Sequence, residues 1–351
     1  MDVKINMLNV KDGDAIIIEL IKESKTLVIV IDSGEPEYYQ TKLKPKLTSI
    51  LLNHNKKAPD IVVCSHYDSD HIGGLILLLE DYISDINEVW VHKTPALIQG
   101  YIEEAINIKA GRRKYLNTNL ESYSFQRLFE DHGRPQKQLL EQRAQVILES
   151  LPQLKKLINL IPEKKLKQVF HRQNPIPEWP EITILGPTRD YFNQLFPATK
   201  SFEDFIKEEA NAILPSGMAV HLIKRMEGSG PCERLKVDTT AKITSTNKAS
   251  IVIAIDEGKR RFLFTGDAGI ESFKRIPQWE SELKELYFLK VPHHASNNNL
   301  SKELIEKMQP IYVFNSGFKF QDDDVLNCFK AKSRNNIVKT TKTDGDLIFP
   351  C

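Results

Sequence analysis

The stretch I-V-V-C-S-H-Y-D-S-D-H-I-G-G-L, residues 61–75, constrains this chain more than any other. Asp60 to Cys64 reads as a buried strand of the continuous apolar type, and His66, Asp68, Asp70 and His71 follow it within six residues. Packing four such side chains together costs mutual repulsion unless a cation offsets it. A lone histidine at a strand end is more often a satisfied structural residue than a ligand. Four candidates in six positions point instead to a metal site, and imidazole with carboxylate suits Zn²⁺, Mn²⁺ or Fe²⁺.

Other ligands must then come from other strand ends. K-I-N-M-L-N-V, A-I-I-I-E-L and T-L-V-I-V-I-D read as short strands, the first two joined by the K-D-G-D turn. Leu43 to Leu52 reads as a helix, a second helix is expected just after Gly73-Gly74, and E-V-W-V-H is another strand. Strand, crossover helix, strand is the grammar of an α/β layered fold. Later, S-I-V-I-A-I and R-F-L-F-T-G-D pair through a hairpin around Asp256-Glu257-Gly258, and E-L-Y-F-L-K-V and P-I-Y-V-F-N-S-G are further strands. T-G-D-A-G, with Asp267, and V-P-H-H-A-S, with His293, His294 and Ser296, each follow an apolar strand. Asp267 arrives from a separate strand and is the natural bridge between paired ions.

Residues 101–175 differ in character. Leu140, Ala144, Ile147, Leu151, Leu154, Ile158 and Ile161 mark one face of a helix, with a kink or break expected at Pro152. This segment holds 14 Lys+Arg against 8 Asp+Glu, so it is +6 in a chain whose net charge is +1. It is read as the solvated face of a helical insertion or as a basic arm for a polyanionic substrate, nucleic acid included. No run approaches the roughly 20 apolar residues that span a bilayer. The N-terminus lacks an apolar signal region, so no membrane association and a cytoplasmic location are expected. Cys64, Cys232, Cys328 and Cys351 lack C-x-x-C spacing and are expected to be reduced thiols.

S-H-Y-D-S-D-H-I-G-G resembles the motif of the metallo-β-lactamase-fold hydrolases, and most of all the branch similar to the hydrolase domain of the DNA-uptake protein ComEC. N-V-K-D-G-D-A-I-I-I, V-I-V-I-D-S-G with Asp32 and Gly34, N-K-A-S-I-V before T-G-D-A-G, and L-K-V-P-H-H-A-S follow in that branch's order. The resemblance implies a four-layer αβ/βα sandwich over residues 1–100 and 176–351, with 101–175 as a helical insertion. It implies one or two divalent ions, zinc or manganese: His66 and Asp68 on one, Asp70 and His71 on the other, and Asp267 between them. One of His293 and His294 completes the site or acts as general acid, the H-A-S pattern favouring His294. Asp70 orients the attacking water, and Ser296 and Asn297 are candidate substrate contacts. Asp68 stands where the family has a second histidine and Ala295 where it has a glycine. The family's separate mid-chain histidine has only His171 and His221 as candidates, each isolated. The implied function is a metal-dependent hydrolase, foremost a phosphodiesterase or nuclease using a metal-activated hydroxide. The alternatives are hydrolysis of a small ester, thioester or nucleotide, and a metal-binding subunit whose insertion docks a partner protein.

Overall fold

The computed structural model describes residues 1–23, 25–93, 100, 103, 134–197, 199–212, 230–235, 243–319 and 321–350. His221 and the arginines and lysine of 112–114 lie outside them.

Thirteen strands among the described residues form two sheets. The first contains β1 (Asp2–Met7), β2 (Ile16–Lys22), β3 (Lys25–Ile31), β4 (Ile61–Val63), β5 (Glu88–Trp90) and β6 (Leu166–Lys167), with β13 (Leu347–Phe349) on the outer side of β1. The second runs β12 (Ile337–Thr340), β11 (Tyr312–Asn315), β10 (Phe288–Lys290), β9 (Arg260–Phe264), β8 (Val252–Glu257) and β7 (Ile182–Gly186). In each sheet hairpins pair antiparallel, whereas strands fed by helical crossovers, such as β3–β4 and β10–β11, pair parallel.

Period-two patterning sorts the apolar side chains into layers. Ile5, Ile18, Ile29 and Val63 of the first sheet meet Ile253, Phe262, Phe264 and Phe288 of the second in a core between the sheets. The opposite faces, Ile17, Val30 and Val62 on one side and Ala254, Leu263 and Val313 on the other, are covered by helices. The helices that bear on the site are α1 (Lys44–Asn53), α2 (Ser69–Tyr82), α3 (Arg134–Leu160) and α4 (Phe202–Ala212) over the first sheet. Over the second lie α5 (Lys302–Met308) and α6 (Asp323–Lys332). Helix, sheet, sheet, helix is the expected four-layer sandwich.

Three expectations need correction. α2 begins at Ser69, inside the motif, not after Gly73-Gly74. The two glycines are spacers: a Cβ on Gly73 would lie 2.6 Å from Pro36 Cδ, and one on Gly74 would lie 2.9 Å from Ser33 Oγ. α3 runs unbroken through Pro152, and the apolar positions on either side of it, Leu148, Leu151, Leu154 and Leu157, are buried together in the core beneath the first sheet. That burial outweighs the roughly 3 kcal/mol that an interior proline costs. Cys232 and Cys328 are not thiols but a disulfide whose Cα atoms are 4.8 Å apart across 96 residues of sequence. Spacing along the chain carries no trace of that proximity. Cys64 is free and buried.

Candidate metal centre

The strand ends that face one rim of the two sheets bring the motif loop, Asp267 after β9 and His293-His294 after β10 into one cluster. The motif loop turns directly into α2, with Asp68 at its N-cap and Asp70 in its first turn. A helix N-terminus carries partial positive charge, so both carboxylates sit where the backbone favours them. The Asp68 side chain makes no capping bond and instead lies 3.6 Å from His66 Nε2.

Asp267 Oδ2 is the hub. It stands 3.7 Å from His66 Nε2, 3.5 Å from His71 Nε2 and 3.8 Å from His293 Nε2. Asp70 Oδ2 lies 4.0 Å from His71 Nε2 and 3.7 Å from His294 Nε2. These are too long for hydrogen bonds, yet they match the edge of a coordination tetrahedron with bonds of roughly 2.1 Å, which is about 3.4 Å.

The histidine tautomers follow from their other nitrogens. His71 Nδ1 donates to Asp32 Oδ2 at 2.8 Å, His294 Nδ1 to the Ser316 carbonyl at 3.0 Å and His293 Nδ1 to Asn299 Oδ1 at 2.9 Å. The Asn299 amide is oriented by donating to the carbonyls of Asp267 and Ala268. His66 Nδ1 donates to Ser65 Oγ at 2.9 Å, because that hydroxyl spends its own proton on Asp32. Each Nε2 lone pair therefore points into the cluster, the arrangement by which outer partners orient metal-binding imidazoles. The Nε2 atoms of His66, His71 and His294 are buried with no hydrogen-bond partner among the described residues. Buried polar atoms are otherwise nearly always satisfied, so the donor set fits divalent ions. Asp70, His71 and His294 form one group able to hold an ion, and Asp14, His71 and Asp267 also fall within such reach.

Electrostatics agree with this packing. Burial alone would push His71 down, but the carboxylates of Asp267, Asp70 and Asp32 outweigh it and raise the imidazole. Burial likewise opposes ionisation of Asp267, yet His71, His293 and His66 hold it well below the usual carboxylate range. His294 is raised against its burial by Asp267 and Asp70, whereas burial dominates at His293 and lowers it.

The structure brings together His66, Asp68, Asp70, His71, Asp267, His293 and His294. Both late histidines approach carboxylates of the cluster, where the sequence leads one to expect a single one: His293 stands beside Asp267 and His294 beside Asp70. His171 is not in the cluster, its Nδ1 being spent on the Leu185 carbonyl. Ser296 is buried, its Oγ accepting from the Asn298 amide, and Asn297 donates to Asp322 at the N-cap of α6. Residues missed as site members are Asp14, which pairs with Lys290 and Ser316, the orienting Asp32, and Lys290 itself. The K-D-G-D turn and I-D-S-G strand end were the available signals for the two aspartates.

His293, His294 and Ala295 all have left-handed backbone angles, with φ of +45°, +55° and +64°. Such conformations cost roughly 1–2 kcal/mol each for non-glycine residues and persist only where the surroundings over-determine them. Here the hydrogen bonds to Asn299 and Ser316 do so.

Residues 9–123 match the model of the Metallo-beta-lactamase superfamily. No curated protein matches the chain. Among solved structures it is similar to the metallo-beta-lactamase fold protein YhfI from Bacillus subtilis, at 8% identity over 99% of each chain and a TM-score of 0.41. It is also similar to a protein from Thermotoga maritima described as a metallo-beta-lactamase, at 12% identity over 72% of this chain and 68% of that one, with a TM-score of 0.29. The four layers, and a superfamily match that spans the His66–His71 motif, identify the chain as a protein of the metallo-β-lactamase fold.

Proposed function

We propose that the chain is a metal-dependent phosphodiesterase acting on nucleic acid. The observation that carries this reading is the shared carboxylate: Asp267 Oδ2 faces His66, His71 and His293 at once, while Asp70 and His294 close the far side. Divalent ions bound there would neutralise charge on phosphoryl oxygens and make water acidic enough to attack at neutral pH. Asp70 is the carboxylate placed to accept that water's proton. His294, 3.7 Å from it, is the neighbouring group that can return a proton to the leaving oxygen. Asp32 and Ser65 keep His71 and His66 in the tautomers this requires.

The support comes from the centre more than from a basic arm. Lys156 pairs with Glu80, and Lys165 donates to the carbonyls of Ile83, Ser84 and Ile86, at the end of α2 away from the motif. Those lysines hold α3 and β6 to the first layer.

The test is turnover of DNA, RNA and bis-p-nitrophenyl phosphate by protein stripped with EDTA and reloaded with Mn²⁺ or Zn²⁺. Asp267→Ala should lower metal-dependent turnover by more than the roughly 10- to 100-fold typical of losing a ligand's supporting partner. Turnover that survives the substitution would remove the site assignment. Cleavage of lactones or thioesters with no phosphodiester turnover would move the chain to another substrate class.

A further inference from the structure

We infer that Lys290 is a built-in cation of the centre, which holds its carboxylates together before metal arrives and weakens metal binding in exchange. This rests on the reading that the cluster holds divalent ions.

Lysine is almost never fully buried unless paired. Lys290, the last residue of β10, has a side chain with no exposure at all. Its ammonium donates to the Gly266 carbonyl at 3.0 Å, pairs with Asp14, and lies 3.8 Å from Asp267 Oδ1. Asp267 is thereby held between two kinds of partner, the ammonium on Oδ1 and the imidazoles on Oδ2. Strand packing alone would be met by an apolar side chain, as it is by Phe288 on the same face of β10. The charge is what the position adds.

The charges around it say why. Among the described residues, Asp14, Asp32, Asp68, Asp70 and Asp267 gather here with Lys290 as the one lysine. Counted with neutral imidazoles, as metal ligands would be, five carboxylates and one ammonium leave an excess of four negative charges, which two divalent cations would balance. Without Lys290 the metal-free cluster would be more negative still, and Asp14 would be a buried carboxylate facing Asp267 with no cation between them. At an effective dielectric of roughly 20, a unit positive charge several ångströms from a divalent ion changes its affinity by at least about tenfold. Replacing Lys290 should therefore tighten metal binding while destabilising the metal-free fold.

The experiment measures Mn²⁺ affinity by calorimetric titration, and thermal midpoints with and without Mn²⁺, for wild type, Lys290→Met and Asp14→Asn/Lys290→Met. Expected are a lower metal-free midpoint, a larger rise on adding Mn²⁺ and an affinity at least about tenfold tighter in Lys290→Met. The double variant removes one charge of each sign and should move affinity and metal-induced rise back towards wild-type values, because the Asp14 carboxylate is engaged by Lys290 and Ser316 rather than offered to an ion. A purely structural lysine would lower both midpoints equally, leave affinity unchanged and show no recovery in the double variant; that result overturns the inference. Should Lys290→Met fail to fold even with metal, folding of the double variant supports the charge role and its failure overturns it. Absence of any Mn²⁺ binding by wild type would instead sink the metal reading itself.

Discussion

Gly317 has φ +83°, and a Cβ built there would lie 2.2 Å from His294 Nδ1. The loop after β11 can thus reach His294 with its backbone, placing the Ser316 carbonyl under Nδ1, only because this residue lacks a side chain. Gly317→Ala should displace the imidazole. We expect turnover of bis-p-nitrophenyl phosphate to fall by roughly 10- to 100-fold, as for loss of a ligand's orienting partner. Wild-type turnover in that variant would show that His294 is held by other means. At this scale the sequence was legible where ligand types crowd together, as at His66–His71, or double up, as at His293-His294. It was silent where the partner is a backbone carbonyl, as under His294. It was also silent where a cation stands among groups expected to bind cations, since Lys290 reads as an ordinary strand-end lysine until Asp14 is seen against it.

The elements were more legible than their ends. Continuous apolar runs revealed the strands, because both faces of each sheet are buried; the start of α2 was misplaced because glycine is ordinarily a helix breaker. Here Gly73 and Gly74 serve close packing instead. α4 adds a feature that periodicity does not show. Its Glu209, 2% exposed, accepts from the Ser245 amide and from Thr246 Oγ1 in the short turn that leads to β8. Burial, with a smaller push from Asp68, raises its carboxyl to about 7. Because the folded-state value lies above the unfolded one, the protonated form is favoured in the native state. That contribution is full below about pH 4.5 and is lost as pH rises towards 7, a difference of roughly 3 kcal/mol. Glu209→Gln should therefore match wild type in urea unfolding at pH 4.5 and exceed it by roughly 2–3 kcal/mol at pH 8. Equal stabilities at both values would mean that water reaches the carboxylate.

Over the whole molecule, the two sheets place the motif after β4, Asp267 after β9 and the histidines after β10 at one rim, and order along the chain was enough to anticipate that. What closes the other layer was not anticipated. The disulfide joins residues 231–234 to α6, where Arg234 also grips Asp324 through two bonds and Glu233 pairs with Lys302 of α5. The same stretch of chain continues to Ser250, whose hydroxyl accepts from the Asp267 amide. The clasp holds residues 231–234 to the helical layer without contributing a ligand. A crosslink spanning about 100 residues removes unfolded-state freedom worth about 4.7 kcal/mol in the chain-entropy account, of which about 2–4 kcal/mol is typically realised. Reduction with dithiothreitol should lower the wild-type unfolding free energy by that amount and leave Cys232→Ser/Cys328→Ser, already lowered, unchanged. Mn²⁺ affinity should stay within about threefold of the oxidised protein, since no candidate ligand touches the bridge. A fall of tenfold or more on reduction would show instead that the clasp is part of the centre's geometry.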